Sequence, residues 1–180
     1  VDGVAFAAGY ENYNDTTDAA GRPPPSIEIV VQGGSDEDVA NIIWKNKAGG
    51  IRAYGKHYAY ATDINGNRQY LEFTRVNDVY LLLSVTVTSS GGLDDDYAAR
   101  IKSLLMEEIL SAGTTIRLQT FIRPIMESVS GVDYVEIRGL LSENPDIEGV
   151  ADNSMLTGIV PVEINQQPVL SMSGIRVVKA

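Results

Sequence analysis

The only histidine of the chain, His57, is the side chain best suited to acid–base chemistry near neutral pH. It lies between Lys56 and Tyr58 in a segment predicted to be a β-strand. A Ser-His-Asp arrangement needs a carboxylate that orients the imidazole and a nucleophile that faces it. No G-x-S-x-G sequence, which would present such a nucleophile on a tight turn, occurs in the chain. We therefore interpret His57 as an exposed strand histidine and predict no catalytic residue.

A glycine turn between a predicted strand and a predicted helix has the general geometry of a phosphate-binding loop. Gly33 and Gly34 end the strand, and Ser35 begins the helix. The segment lacks the Lys-Ser/Thr ending of a P-loop and the third glycine of a dinucleotide fingerprint. Acidic side chains at 36–38 in the first helical turn would also repel an anion. The glycines are therefore predicted to turn the chain, and no cofactor-binding residue is predicted.

Carboxylates are concentrated in three segments, at 36–38, 94–96 and 143–152. Consecutive acids at a helix start point about 100° apart and interact with the helix dipole rather than with one metal ion. The segment Asp63-Ile64-Asn65-Gly66 resembles a calcium loop, but its glycine comes too early and no bidentate Glu follows at the required distance. The chain has no cysteine. We predict no metal site, while a carboxylate pair assembled from distant segments stays open.

The composition restricts the classes of partner. The chain has 180 residues, with 24 acidic against 14 basic side chains and a net charge of −10. Nucleic acid requires clustered Lys and Arg, whereas the longest basic cluster here is Lys45-Asn46-Lys47. No apolar run approaches the roughly 20 residues that cross a bilayer. We predict no binding to nucleic acid or membrane. Because the sequence starts at Val1 without Met, we also expect it to be part of a longer protein.

The hydrophobic pattern of the first half predicts strands around one helix. Ser26 to Gln32 alternates as a strand, and a helix capped by Ser35 ends before Gly49-Gly50. Asn65-Gly66 predicts a two-residue hairpin turn, and Val79 to Thr88 reads as a buried strand.

In the second half we predict a long helix from Asp94 to Ala112, a weaker helix within Leu118–Ser128 and a strand from Val132 to Leu140. A closing strand pair, 155–164 and 169–178, is expected after an acidic loop. Ser89–Gly92 reads as a flexible joint between two modules, residues 1–90 and 91–180. The predicted fold class is α+β: two small mixed modules, with helices packed on mostly antiparallel, short-stranded sheets and a Ser/Gly hinge between them.

Two sequence blocks carry a resemblance to a known family. The first is D-A-A-G-R-P-P-P-S-I-E-I-V-V-Q-G-G at 18–34, and the second is K-A-G-G-I-R-A-Y-G at 47–55. Together with the later helix and the segment at 129–132, they resemble the baseplate J-like family of contractile phage tails and related injection machines. The chain departs from that pattern at Pro25 and Gly50 and lacks the N-terminal region that members usually carry.

This resemblance implies a structural subunit of the wedge and inner ring of a baseplate. The implied partners are other wedge and hub proteins and a second copy of the chain. No catalytic residue, cofactor or small-molecule substrate belongs to the family, so we do not expect an enzyme. The implied location is the virion tail baseplate, after synthesis in the bacterial host cytoplasm. A hinge at Ser89–Gly92 would allow the subunit to change shape when the baseplate switches.

A glycan- or receptor-binding module of a tail fibre or adhesin is the alternative. It requires an aromatic platform, and the chain has nine tyrosines spread through predicted strands. An enzyme is a third reading, which needs a pocket with convergent carboxylates of perturbed pKa. Trp44, the only tryptophan, is expected to pack in the core, with an interface anchor as the alternative.

Overall fold

The computed structural model describes all residues from 1 to 180 and shows an α+β protein, as predicted, with 19% helix and 39% strand. The chain forms two compact units, Val1–Asn77 and Asp78–Ala180. None of the helices has the length and apolar character of a membrane span.

The first unit is a five-stranded mixed sheet with one helix packed on it. The sheet order is β1-β2-β5-β4, and β3 pairs with β2. The β1–β2 and β4–β5 pairs are antiparallel, whereas β2 is parallel to β3 and β5. Its elements are β1 (Val4–Asn12), β2 (Ser26–Gly33), α1 (Asp36–Asn46), β3 (Arg52–Tyr54), β4 (His57–Thr62) and β5 (Arg68–Arg75).

The helix α1 forms for the reasons that its sequence predicts. The Ser35 side chain accepts a hydrogen bond from the backbone N–H of Asp38 at 3.1 Å, which satisfies one free donor of the first turn. Residues of α1 and of β2 to β5 share one apolar core on a single face of the sheet. The buried members of this core are Val31, Val39, Ala40, Ile43, Ala53, Ala59, Ala61, Leu71 and Phe73.

The hairpin between β4 and β5 has a three-residue loop, so the predicted two-residue turn is wrong. The N–H of Asp63 donates to the Asn67 carbonyl at 2.9 Å, which leaves residues 64–66 as the loop. A type I′ turn needs positive φ at both central residues, but no residue other than glycine has positive φ. Gly66 alone adopts it, at φ 83°.

The second unit is built on a second sheet of order β11-β6-β8-β9, with β12 parallel to β6. A separate antiparallel ladder joins β7 to β10. Its elements are β6 (Asn77–Thr88), α2 (Tyr97–Met106), β7 (Ile116–Arg117), a 3₁₀ turn (Leu118–Phe121), α3 (Ile122–Ser128), β8 (Tyr134–Ser142), a 3₁₀ turn (Asp152–Ser154), β9 (Leu156–Thr157), β10 (Ile159–Val160), β11 (Gln166–Val169) and β12 (Ile175–Lys179).

The division between the units lies at Asn77 and not at the expected residue 90, because β6 pairs with β8 and β12 of the second unit. Ser89–Gly92 therefore lies inside the second unit, where the backbone N–H of Ser90 donates to the Asp133 carboxylate. The hinge itself stays a prediction.

Two further predictions for this unit are wrong. The long helix runs from Tyr97 to Met106 rather than from Asp94 to Ala112, with Asp96 at its N-cap. Glu107 and Glu108 follow it, where acidic charge opposes the helix dipole. The closing segments do not pair with each other, because β9 joins β8, β10 joins β7, and β11 and β12 both join β6. The weaker helix and the 132–140 strand are confirmed as α3 and β8.

Candidate functional site

Three tyrosine side chains form a cluster on the face of the β4–β5 hairpin that points away from α1. Tyr58, Tyr60 and Tyr70 are 57%, 39% and 54% exposed. The rings of Tyr58 and Tyr70 stack with centroids 5.4 Å apart, and the Tyr60 ring meets both edge-on, at 6.2 Å and 5.9 Å. Offset and edge-on contacts of this kind stabilise ring pairs and fix the rings relative to one another. The cluster is therefore an ordered, exposed aromatic surface.

Charged side chains frame this aromatic cluster. The Arg68 guanidinium lies 4.0 Å from the centroid of the Tyr60 ring, in cation–π geometry. The Tyr70 hydroxyl donates to the Glu72 carboxylate at 3.2 Å, and Arg52 pairs with the same carboxylate at 3.3 Å. Partial desolvation, followed by the Glu72 contact, raises the pKa of Tyr70 above its ordinary value. We call Tyr58, Tyr60, Tyr70 and Arg68 the tyrosine surface.

Strand alternation and the hairpin register place these rings together. Along β4, tyrosines at 58 and 60 alternate with Ala59 and Ala61, which are buried under α1. The three-residue loop sets Tyr60 directly opposite Tyr70 in the ladder. The number of tyrosines in the sequence does not show that these three lie together. The signal that could have identified it was the spacing of the tyrosines about the hairpin turn.

The strand β4 is an edge of its sheet, because it pairs with β5 alone. The N–H of Thr62 points away from β5 and donates to the side-chain oxygen of Asn41 at 2.9 Å. Backbone groups alternate in direction along a strand, so Tyr60 and Tyr58 also direct their N–H and C=O groups away from β5. No protein group bonds these four edge groups.

An open groove of about 400 Å³ follows this edge. Its lining combines the edge of β4 with the first turn of α1 and Arg68. The carboxylate of Asp36 is occupied by Arg75 and His57, whereas Glu37 has no ion-pair partner. The groove therefore offers aromatic rings on one side and an unpaired carboxylate on the other. Its lining residues are Asp36, Glu37, Tyr58, Ala59, Tyr60, Thr62 and Arg68.

His57 is part of a hydrogen-bonded cluster around the Asp36 carboxylate that sequence reasoning missed. Its Nε2 lies 2.8 Å from Asp36 Oδ2, and Arg75 donates to the other oxygen of the same carboxylate at 3.1 Å through Nε. Hydrogen bonds from Arg75 and then His57 lower the pKa of Asp36. The Ser35 hydroxyl donates to Asp38 at 2.7 Å. The cluster joins β4 and β5 to the start of α1.

The two glycines before α1 turn the chain, as predicted. Gly33 and Gly34 have φ angles of 77° and 72°, and Arg75 donates to both carbonyl oxygens. A Cβ on Gly33 would lie 2.1 Å from the carbonyl oxygen of Gly3. Only glycine fits this position, for both conformational and steric reasons.

The carboxylate of Asp63, the first residue of the calcium-like segment, is bound by its own hairpin turn. It accepts bonds from the backbone N–H groups of Asn65 and Asn67 and from the side chain of Gln69. These bonds, with that of the Asn67 backbone the largest, lower the pKa of Asp63. No group of three or more His, Cys, Asp or Glu side chains is arranged to hold a metal ion.

Residues of the 18–34 block form a half-buried polar network beneath the loop that precedes β2. Arg22 pairs with Asp18 at 2.7 Å and with Glu28 at 3.3 Å, and its guanidinium lies 5.2 Å from the centroid of the Tyr10 ring. The buried Glu28 carboxylate also accepts from the Thr74 hydroxyl at 2.5 Å. This network attaches the loop to the sheet.

No family model matches the chain, and no curated protein is significantly similar to it.

Proposed function

We propose that the protein is a structural subunit of a phage or phage-like contractile tail baseplate, in the wedge or inner ring, and that it acts by binding other proteins. The observation that carries the binding role is the tyrosine surface on the β4–β5 hairpin, at the edge of the first sheet. Tyr and Arg are enriched among the residues that dominate protein–protein binding energy. Tyrosine also provides a large contact area at a low cost in conformational entropy.

The assignment to a baseplate is supported by the sequence resemblance at 18–34 and 47–55. In the first block, Asp18, Arg22 and Glu28 have a structural part, since their ion pairs attach a loop to the sheet. The proposed partners are wedge and hub proteins and a second copy of the chain. The proposed location is the virion baseplate, and the proposed role needs no cofactor or small-molecule substrate.

The test is co-expression of the protein with the products of its neighbouring reading frames, followed by co-purification and light scattering. A complex of fixed stoichiometry that forms wedge-like particles supports the proposal. A lone monomer with every neighbour contradicts it.

A matched pair of variants tests whether the tyrosine surface makes the contact. Tyr58→Ser combined with Tyr70→Ser removes two rings of the surface, whereas Tyr13→Ser removes an isolated ring that is 84% exposed. The double variant is expected to lose the complex while Tyr13→Ser retains it. Equal retention would place the contact elsewhere on the molecule.

The same surface supports one alternative, a glycan-binding module of a tail fibre or adhesin. Exposed aromatic rings can stack on sugar rings, and three of them lie together here. Glycan-array screening separates the two functions. Saturable binding that is lost in the Tyr58/Tyr70 double variant supports the glycan module, and its absence leaves the structural role.

A further inference from the structure

We propose that the free edge of β4 binds an extended segment of a partner protein as an additional β-strand, with a Lys or Arg of that segment facing Glu37. This inference rests on the proposed function, since it specifies how a protein partner would engage the tyrosine surface. The inference rests mainly on the free backbone N–H and C=O groups of β4 and only secondarily on the tyrosine rings.

The edge has the hydrogen-bonding groups that strand addition needs. Tyr58 and Tyr60 each direct one N–H and one C=O away from β5, and no group of the chain bonds them. Thr62 marks the end of the free edge, because its N–H is already satisfied by Asn41. Unpaired groups in a row along a strand form a template for another strand.

Side chains on the two sides of the edge determine which segment fits. In an added strand, alternate side chains would point toward α1 and toward the outer face. Those toward α1 would meet Glu37, a carboxylate without an ion-pair partner in a chain of net charge −10. Those on the outer face would lie beside the rings of Tyr58 and Tyr60. The fitting segment is therefore extended and alternating, with basic residues on one face and apolar or aromatic residues on the other.

The opposite edge of the same sheet has a different surface. β1 also pairs with one strand only, and it carries one exposed carboxylate, that of Glu11. Its other exposed positions, Ala5, Ala7 and Gly9, provide neither a ring nor a charge, and its two aromatic side chains, Phe6 and Tyr10, are only partly exposed. Both edges therefore offer backbone groups and a carboxylate, and only the β4 edge adds a cluster of exposed rings.

The first experiment titrates the full chain with a synthetic probe, the acetylated and amidated peptide T-K-Y-K-V-K-T. Its lysines share one face of an extended strand. The matched control K-K-K-T-Y-V-T has the same composition and charge without the alternation. Hydrogen exchange by NMR should show at least tenfold slower exchange of the Tyr58 and Tyr60 amides with the probe, and no such change with the control. Equal protection by both peptides, or unchanged exchange of these two amides at millimolar probe, would overturn the proposal.

Two substitutions at one position separate backbone pairing from ring contact. Tyr60→Thr removes the ring and keeps the edge N–H, whereas Tyr60→Pro removes both. Because this N–H does not bond β5, proline at the edge takes no bond from the hairpin ladder. Tyr60→Pro should bind the probe roughly tenfold more weakly than Tyr60→Thr. This factor corresponds to the loss of about one edge hydrogen bond together with distortion of the adjacent hydrogen bond. Unchanged exchange of the Leu71 amide checks that both variants fold. Equal affinity of the two variants would contradict strand addition.

The charge requirement has its own test. Glu37→Gln should weaken binding of the lysine probe roughly three- to tenfold. It should leave unchanged the binding of an analogue of the probe in which norleucine, an uncharged residue, replaces each lysine. An equal loss for both probes would refute the role of the carboxylate.

Failure of this inference differs visibly from failure of the proposed function. If the protein assembles with its neighbours and Tyr60→Pro assembles as well as Tyr60→Thr, the baseplate role stands and strand addition is refuted. If no neighbour binds but the probe protects the edge amides, strand addition stands without the baseplate.

Discussion

Ala61→Leu is expected to displace α1 from β4 and thereby to alter the groove beside the tyrosine surface. Ala61 is fully buried between the sheet and the helix. With alanine at 59 and 61, the helix lies close enough for the Asn41 side chain to reach the N–H of Thr62 at 2.9 Å. A leucine at 61 adds three carbon atoms at a position that has no exposed surface. The helix must therefore move outward or the side chain must take a strained rotamer.

The expected cost is about 1–3 kcal/mol in the free energy of unfolding, the usual range for overpacking a well-packed core. For a unit the size of Val1–Asn77, each kcal/mol corresponds to a Tm lower by roughly 4–8 °C. Ala7→Leu is the matched control, because Ala7 is exposed on β1. Its effect should stay within about 0.5 kcal/mol of zero.

Thermal unfolding measures the cost, and amide exchange shows where the displacement occurs. Thr62 should exchange roughly tenfold faster or more in Ala61→Leu, since Asn41 is the partner of its N–H. Two results would refute the reasoning. One is an unchanged Tm together with an unchanged Thr62 rate, and the other is equal destabilisation by Ala7→Leu.

Three further predictions concern stability. Glu28→Gln is expected to lower the free energy of unfolding by about 1–3 kcal/mol, because the buried Glu28 carboxylate accepts from Arg22 and from the Thr74 hydroxyl and the variant removes its charge. In urea unfolding, the double variant with Thr74→Val should lose less than the sum of the two single losses, because the two residues share one hydrogen bond. The hydrogen bond from Arg75, more than any other contact, holds the pKa of Asp36 below the value that it has in the unfolded chain. The resulting stabilisation is present at a pH above that unfolded-state pKa and is lost as the pH falls through the folded-state pKa. When unfolding midpoints are measured over a pH series, Asp36→Asn should therefore reduce the loss of stability at acidic pH. Gly55→Ala should cost more than about 3 kcal/mol in thermal unfolding, because its Cβ would lie 2.1 Å from the β5 backbone, and a wild-type Tm would contradict the close approach.

Local sequence signals were sufficient to predict those helices and strands whose ends are set by residues within or next to them. The Ser35 cap and the strand from Ser26 were predictable because one residue or one alternation determines each of them. The turn after Asp63 was only partly predictable. The position of its glycine, Gly66, was predicted correctly. The loop length was not, because it depends on which residue Asp63 bonds, and Asp63 bonds Asn67 instead of forming a tighter turn.

Long-range pairing was the part that sequence could not provide. Nothing local in β6 shows that it pairs with β8 and β12, and that pairing moves the division of the chain to Asn77. The tyrosine surface depends on the loop length of the β4–β5 hairpin, because the predicted two-residue turn would set Tyr60 opposite Leu71 rather than Tyr70. Tyr60 and Tyr70 become neighbours only through the hairpin register, and the free edge of β4 exists only because β5 lies between β4 and β2.

The location of Ser89–Gly92 changes what a hinge there would do. A shape change at this segment would act inside the second unit, and it would have to break the bond from the Ser90 N–H to Asp133. It would also disturb Gly131, where even a Cβ would lie 2.5 Å from the Gly92 carbonyl oxygen. Hydrogen bonds from the Ser90 side chain and then from its backbone lower the pKa of Asp133, so the contact is strongest when that carboxylate is ionised. Movement at Ser89–Gly92 would therefore be opposed by the Ser90–Asp133 contact and by the close approach of Gly131 to Gly92, so the Ser/Gly composition alone does not make this segment a hinge.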